Sequence, residues 1–370
     1  MNNLLNMPAY ITSIGTAVPT YKATQQEYMD FMLGHLTLSK RKSRELQILY
    51  RASGIHYRHS VMAEYQFEYD FFPDASSVKP FPSVSERLEI YNKESIKLCV
   101  EAAKKCLEQT DTRYAEITHL IVVSCTGMRA PGNDIALIEQ LGLNSHVERT
   151  SINFMGCYGS FNALKVANHI LGNQPGAKVL IVSVELCTLH LQNLSDTDNL
   201  LVNSLFSDGA AAVLLESKPT GAGYKIANFH CDLALGGKEE MEWDISESGF
   251  LMTLSMNIPE IIRKEIKSLT DKLMEKISLN ISEVDFFAIH PGGRRILEVI
   301  QQELGFPEDK NQFSMNILRN YGNMSSSTVL FVLNDILQQI KSADHNKNVL
   351  SFAFGPGLTM ESALFKIQAQ

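Results

Sequence analysis

The 370-residue chain has no apolar run approaching the roughly 20 residues that a membrane-spanning helix requires, which argues against integral membrane association. Its opening stretch, Met1 to Pro8, is neither basic nor long enough for a secretory leader, and a cytoplasmic protein is expected. Positive charge is short: 33 Lys and Arg against 41 Asp and Glu leave a formal net charge of -8, which disfavours nucleic acid or an anionic membrane as the main partner. The local exception is the basic run Lys40-Arg41-Lys42-Ser43-Arg44. The six cysteines, Cys99, Cys106, Cys125, Cys157, Cys187 and Cys231, include no C-x-x-C pair and no accompanying histidine cluster, so no metal site is expected. Their scatter through apolar segments fits reduced, buried thiols.

With 45% hydrophobic residues, the chain can bury more than one layer of core. Short apolar runs at Leu120 to Ser124, Lys178 to Ser183 and Ala210 to Leu215 read as strands, and Ser95 to Leu107 and Phe161 to Leu171 have helical spacing. The second half repeats the alternation with strands at Phe286 to Ile289, Val349 to Phe354 and Glu361 to Ile367, and a helix from Arg294 to Leu304. This predicts a layered α/β fold divided near Lys218 to Gly223, with halves at 1–220 and 221–370. The aromatic and acidic stretch Glu64 to Phe72 reads as an excursion at the surface edge.

The halves rhyme. A strand ends at Ser124-Cys125-Thr126-Gly127, and 32 residues after Cys125 comes Cys157, where a helix begins; a strand ends before His290-Pro291-Gly292-Gly293, and 33 residues after His290 comes Asn323 at another helix start. Duplication of one α/β unit explains both spacings and brings strand ends and helix starts of both copies to one site. A helix start favours a thiolate, so Cys157 is the candidate nucleophile. His290 can move a proton, and Asn323 can donate a fixed hydrogen bond to a developing oxyanion. Each has a plainer reading, as core thiol, turn residue and helix cap, but the combination suits thioester chemistry.

The motifs Gly156-Cys157, Leu205-Phe206-Ser207-Asp208-Gly209-Ala210-Ala211-Ala212, Ala288-Ile289-His290-Pro291-Gly292-Gly293, Tyr321-Gly322-Asn323-Met324-Ser325-Ser326 and Phe354-Gly355-Pro356-Gly357-Leu358-Thr359 are similar to those of the type III polyketide synthases. The resemblance is to the chalcone synthase and alkylresorcinol or alkylpyrone synthase family of the thiolase superfamily, and it extends from Ile11 to the last strand. It implies a thiolase-like fold with αβαβα layers built from two duplicated halves, the first carrying the nucleophile and the second the His and Asn. It also implies a homodimer, with the loop Met128 to Gly132 reaching towards the neighbouring subunit.

What the resemblance implies for chemistry is a starter acyl-coenzyme A loaded on Cys157, as a thiolate paired with imidazolium at His290. Malonyl-coenzyme A then loses carbon dioxide while His290 and Asn323 hold the enolate oxygen, and the chain is extended and cyclised. Coenzyme A thioesters serve as substrates and no cofactor is required. Phe206 matches an aromatic gatekeeper, Met252 stands at a second gatekeeper position, and Cys125, His190 and Trp243 fall at positions that line the product cavity. Glu185 matches a buried carboxylate that orders the site, and Gly355, Pro356 and Gly357 a backbone turn at the cyclisation pocket. The basic coenzyme A entrance of plant members is only partly kept, which leaves Arg51, Lys40, Arg41 and Arg44 for phosphate contacts, with Gly292, Gly293 and Ser325 on the same path. These departures resemble bacterial members that take aliphatic or fatty acyl starters and release pyrones or resorcinols. The alternatives are a β-ketoacyl-acyl carrier protein synthase that initiates fatty acid synthesis, a hydroxymethylglutaryl-coenzyme A synthase, and a scaffold without catalysis.

Overall fold

In strand after strand, successive apolar side chains enter different cores, the period-two signature of a sheet covered on both faces. A computed structural model shows this for residues 7–65 and 71–369, the residues described, so most of the expected Glu64 to Phe72 excursion lies outside them. The first half runs β1 (Tyr10–Ala17), β2 (Tyr21–Thr24), α1 (Gln25–His35), α2 (Lys40–Ala52), β3 (Tyr57–Ser60), α3 (Val84–Leu107), β4 (His119–Ser124), α4 (Asn133–Leu141), β5 (Glu148–Asn153), α5 (Gly159–Asn173), β6 (Lys178–Leu186), α6 (Thr197–Leu205) and β7 (Asp208–Glu216). The second runs β8 (Gly223–Leu233), β9 (Met241–Ser246), β10 (Gly249–Leu254), α7 (Ile258–Ile277), β11 (Val284–Ile289), α8 (Arg294–Leu304), α9 (Gln312–Tyr321), α10 (Thr328–Leu337), β12 (Asn348–Gly355) and β13 (Thr359–Gln368). Helix α3 starts eleven residues before the expected Ser95, because Ser83 and Glu86 form a capping box there.

The duplication is visible in strand order. One half is ordered β5-β4-β6-β7-β1 and the other β11-β12-β13-β8. In each, a parallel pair (β4 with β6, β11 with β12) is followed by two antiparallel pairings. A short contact between β1 and β8, Tyr10 opposite Lys225 and Ile11 opposite Tyr224, joins the two into one nine-stranded sheet.

Five layers follow from where the side chains go. Leu120 and Val122 of β4 face a core shared with α3, whereas Ile121 and Val123 face one shared with α5 and α10. On the other side, Val349 and Ala353 of β12 reach the same central core, and Leu350, Phe352 and Phe354 pack with α7 and α8. Helices α5 and α10 therefore lie between the two halves of the sheet. Seven of the ten residues of α10 are buried, including every apolar one except Leu337, which fits a helix with protein on all sides. The small residues Gly159 and Ser160 on α5, and Ser325 to Ser327 before α10, let their starts meet in the middle, where the Ser160 hydroxyl donates to the Ser326 carbonyl at 2.6 Å.

Candidate active site

Cys157 lies in the single 3-10 turn Gly156–Tyr158 that leads into α5. The chain arrives from β5 through Phe154 and Gly156, both with positive φ, at 59° and 74°. Gly156 has a second reason to lack a side chain, since a Cβ there would meet the Pro356 ring at 2.1 Å. Pro356, in the Gly355-Pro356-Gly357 turn, thus buttresses the nucleophile turn and also lines the pocket in front of Cys157.

The second half carries the imidazole and the amide. His290 follows β11, and its backbone is tied by its N–H to the Phe352 carbonyl at 2.8 Å. Its imidazole is buried, and neither ring nitrogen has a hydrogen-bond partner. Asn323 is clamped to the Phe206 segment: its N–H donates to the Leu205 carbonyl and its carbonyl accepts from the Ser207 N–H, both at 2.9 Å. The Asn323 Oδ1 accepts from the Ser325 N–H at 2.9 Å, so this residue does cap a turn, while its Nδ2 is directed towards Cys157 and, at 3.4 Å, the Gly292 carbonyl. The clamp carries Phe206 to the pocket that Cys157 lines.

Burial acts against charge on both Cys157 and His290. Burial pushes the Cys157 thiol up to about 12, although the Ser325 hydroxyl and the Asn323 amide both favour the thiolate. Burial alone pushes His290 down to about 3. In both groups burial works against the charged form, and at Cys157 it outweighs the donors that favour the thiolate. Ser325, expected on the coenzyme A path, is instead buried beside the Cys157 sulfur.

Glu185, at the end of β6, is fully buried and fully partnered. Its Oε2 accepts from the Cys125 N–H at 3.0 Å and from the Thr126 hydroxyl at 2.8 Å, and its Oε1 accepts from the Ser326 hydroxyl. Burial raises its pKa to about 7 against the pull of these donors. The Cys125 sulfur accepts from the Gly156 N–H at 3.0 Å, which ties the end of β4 to the nucleophile turn. Cys187, which sequence reasoning passed over as core filler, also faces this pocket; its place directly after Glu185-Leu186 at the end of β6 was the available signal.

The hairpin β9–β10 forms the far wall. Trp243 and Met252 are cross-strand partners in it, and the Trp243 Nε1–H donates to the Cys125 carbonyl at 2.7 Å. Together with Phe206 and Cys187 they separate the space at Cys157, about 20 Å³, from an inner space of about 30 Å³. His190 lines the inner space, but both ring nitrogens serve the backbone. Its Nε2–H donates to the Thr126 carbonyl at 2.7 Å, and its Nδ1 accepts from the Phe250 N–H at 3.2 Å, which fixes a neutral tautomer. The ring stacks on Phe250 at 4.2 Å and holds the hairpin in place. Arg87 braces the same wall by donating to the carbonyls of Leu189 and Leu191.

A third space, about 240 Å³ and mostly apolar, opens to solvent between α2 and the start of α8. Gly292 and Gly293 line it, and so does Leu205, the neighbour of Phe206. Lys40, Arg41, Arg44 and Arg51 are exposed on α2 and form none of its lining, whereas Arg294 and Arg295, not singled out in the sequence, do. Among the described residues no helix is long and apolar enough to cross a membrane.

Comparison with known proteins agrees with this geometry. The family model for the N-terminal domain of chalcone and stilbene synthases matches residues 3–219, and that for the C-terminal domain matches residues 230–368. The alpha-pyrone synthesis polyketide synthase-like Pks18 of Mycobacterium tuberculosis is 29% identical over 364 residues, covering 97% of this chain and 91% of that protein. Among solved structures, PKS-I from the brown alga Ectocarpus siliculosus aligns with a TM-score of 0.89 at 28% identity, over 99% of this chain and 100% of that one. The C-terminal type III polyketide synthase domain of Steely1, a type I/III hybrid from Dictyostelium, aligns at 0.88 with 27% identity, over 97% and 99%. With family models matched over both halves, a buried cysteine turn in the first and an unpartnered imidazole and a clamped amide in the second, the chain belongs to the chalcone and stilbene synthase family and is a type III polyketide synthase, an acyltransferase that forms carbon–carbon bonds by decarboxylative condensation.

Proposed function

We propose that Cys157 accepts an aliphatic starter from its coenzyme A thioester, that malonyl-coenzyme A extends it, and that the product leaves as a pyrone. The observation that carries the assignment of roles is the buried imidazole of His290, with both nitrogens unpartnered, next to the turn whose Gly292 carbonyl meets the Asn323 amide. A buried polar group without a partner is costly, and a substrate thioester oxygen is the partner that these donors suit. As the Cys157 sulfur attacks the starter carbonyl its proton passes to His290, and as the bond from the acyl carbon to the coenzyme A sulfur breaks, His290 returns that proton to the departing thiol. After loading, a neutral His290 with its proton on the nitrogen facing the substrate donates, beside Asn323, to the enolate oxygen formed when malonyl loses carbon dioxide. The enolate carbon then attacks the Cys157 thioester. The cycle as proposed consumes only coenzyme A thioesters and draws on no metal or redox cofactor.

The small space walled by Trp243, Phe206 and Met252 supports a flexible aliphatic starter over a rigid aromatic ring. Pyrone closure is favoured over resorcinol closure because both Glu185 oxygens are already engaged by protein donors. Lactonisation needs no activated water: an enol oxygen attacks the thioester and Cys157 departs. We further propose a cytoplasmic homodimer, supported by the exposed residues of edge strand β5 and the exposed Met128 beside it. Incubation with malonyl-coenzyme A and starters from acetyl to long-chain acyl and aromatic, followed by mass spectrometry, tests the reading. Pyrones rising by one ketide unit are expected with aliphatic starters. Aromatic products alone, or condensation only with malonate on a carrier protein, would overturn it.

A further inference from the structure

Most polar side chains at the wall of the inner space are committed to the fold. His190 serves two backbone groups, Thr188 donates to Asp208, the Asn199 amide donates to Asp196, and the Gln192 amide donates to the carbonyls of His190, Ser248 and Phe250. Three groups are not. The Arg58 Nη2 on β3, the Asn203 Nδ2 on α6 and the Tyr28 hydroxyl on α1 are buried and have no hydrogen-bond partner, and all three residues line this space. Arg58 as a whole is only 2% exposed, and the rest of its guanidinium is fixed. Its Nε donates to the Gln25 Oε1 and its Nη1 to the carbonyls of Asn203 and Phe206, all at 2.9 Å, while the centroid of the Tyr28 ring lies 3.7 Å from its Cζ. The Tyr50 hydroxyl nearby is committed to the Asn203 carbonyl at 2.8 Å. All the acceptors that Arg58 reaches are neutral, and it forms no ion pair among the described residues. The carboxylate that shares its surroundings, Asp208, is taken up by the N–H groups of Val61 and Thr188 and by the Thr188 hydroxyl.

We infer that Arg58, Asn203 and Tyr28 form a subsite for a carboxylate at the far end of the starter, so that the enzyme takes a dicarboxylic acid as its mono-coenzyme A thioester. The inference rests on the reading of Cys157 as acyl acceptor given above and names the starter class within it. A buried guanidinium with only neutral partners is costly, and donors left unpaired in a dry space add to that cost. A carboxylate, with its charge and two acceptor oxygens, answers both. The carbonyl or hydroxyl of a neutral chain would occupy donors without balancing the charge. Size agrees, since a space of about 30 Å³ has room for about two waters or one carboxylate. Position agrees as well. Cys187, Phe206, Trp243 and Met252 line both this space and the one at Cys157, so a straight acyl chain on the sulfur meets the inner space across that boundary, where the unbranched Met252 side chain can give way. Because Arg58 also holds the Phe206 carbonyl, the subsite and the boundary share one anchor.

The test compares single-turnover acylation of the full-length protein, read by intact mass, with starters paired by carbon number: hexanoyl-, octanoyl- and decanoyl-coenzyme A against adipoyl-, suberoyl- and sebacoyl-coenzyme A. At least one carboxylated starter is expected to load about tenfold faster than its methyl-ended counterpart, because a buried set of unpaired donors discriminates against the analogue that cannot meet it. In Arg58→Gln that ratio should fall about tenfold. Asn203→Asp sets a carboxylate of the chain itself beside Arg58 and should bring the ratio below one through like-charge repulsion. The ratio is taken within each variant, so a general loss of activity does not move it, and Asn203→Asp carries the test if Arg58→Gln fails to fold. Methyl-ended starters that load equally fast or faster at every length would overturn the proposal and leave the three donors to water. A wild-type preference that persists in the variants would place carboxylate recognition elsewhere and overturn it too. Failure of every starter to acylate Cys157 would instead sink the acyl-acceptor reading.

Discussion

The two halves share a strand order but not a chemical state. At the strand end, the first half has Cys125, whose sulfur is held by the Gly156 N–H, and the second has His290, whose ring is held by nothing. At the helix start, the first half has Cys157 and the second Asn323. Around the first half's pair, hydrogen bonding is saturated through Glu185; in the second, both ring nitrogens of the buried His290 are left without a partner. Duplication thus supplied two equivalent positions, and divergence left one hydrogen-bonded throughout and the other with an unpartnered imidazole. Chemistry at the site depends on that asymmetry.

Removing the thiol gives the largest expected effect. Cys157→Ala should lower product formation by about 10³-fold or more and abolish acyl labelling. Decarboxylation of malonyl-coenzyme A should persist, because its donors belong to the other half; carbon dioxide release measured alongside product formation checks both. Loss of decarboxylation in Cys157→Ala would mean that the halves do not divide the work. Removing the donors sharpens the same comparison from the other side. His290→Ala or Asn323→Ala should cut decarboxylation by about 10²–10³-fold and leave more residual acyl loading than condensation, read by intact mass against carbon dioxide release.

Next comes the saturated network. Glu185 keeps its proton up to about pH 7 in the folded chain, against an ordinary value of 4.5. Between those values the folded state binds more protons than the unfolded one, so its stability falls as pH rises through the window and is flat above it. The shift corresponds to a loss of up to roughly 3 kcal/mol across that window. Glu185→Gln, which retains an acceptor, should flatten urea-unfolding midpoints between pH 5 and pH 8. An unchanged pH slope in the variant would show that Glu185 is ionised in the fold.

These contrasts mark how far sequence carries. The strands of both halves and the central helices were legible because period-two patterning is local, and the matching places of Cys125 with His290 and Cys157 with Asn323 because the 32- and 33-residue spacings repeat. The burial of the Cys157 thiol was not, since a short turn at a helix start reads the same whether it is dry or wet. The place of Ser325 beside the Cys157 sulfur, with a φ of 47°, is a detail of the turn that the motif alone does not give. Donors to Glu185 come from Thr126 and Ser326, 59 and 141 residues away, separations that no motif records.

The smallest expected effect separates bulk from anchoring in the hairpin wall. Trp243 fills the boundary between the two inner spaces and is also pinned to Cys125 through its Nε1–H. Trp243→Phe keeps most of the bulk and removes the pin, leaving the Cys125 carbonyl without that donor; a loss of about 1 kcal/mol is expected. Trp243→Ala should cost about 2 kcal/mol, below the range for a wholly buried aromatic, and join the two spaces. If the wall limits chain length by volume, Trp243→Ala yields products longer by a ketide unit or from longer starters, while Trp243→Phe retains the wild-type product. If orientation of the β4 end matters instead, both variants lose product in proportion and neither lengthens it. Product masses from the two variants under identical substrate ratios distinguish these outcomes. They also show whether the inner limit on the chain is set by the hairpin of the second half or by the Cys125 strand end of the first.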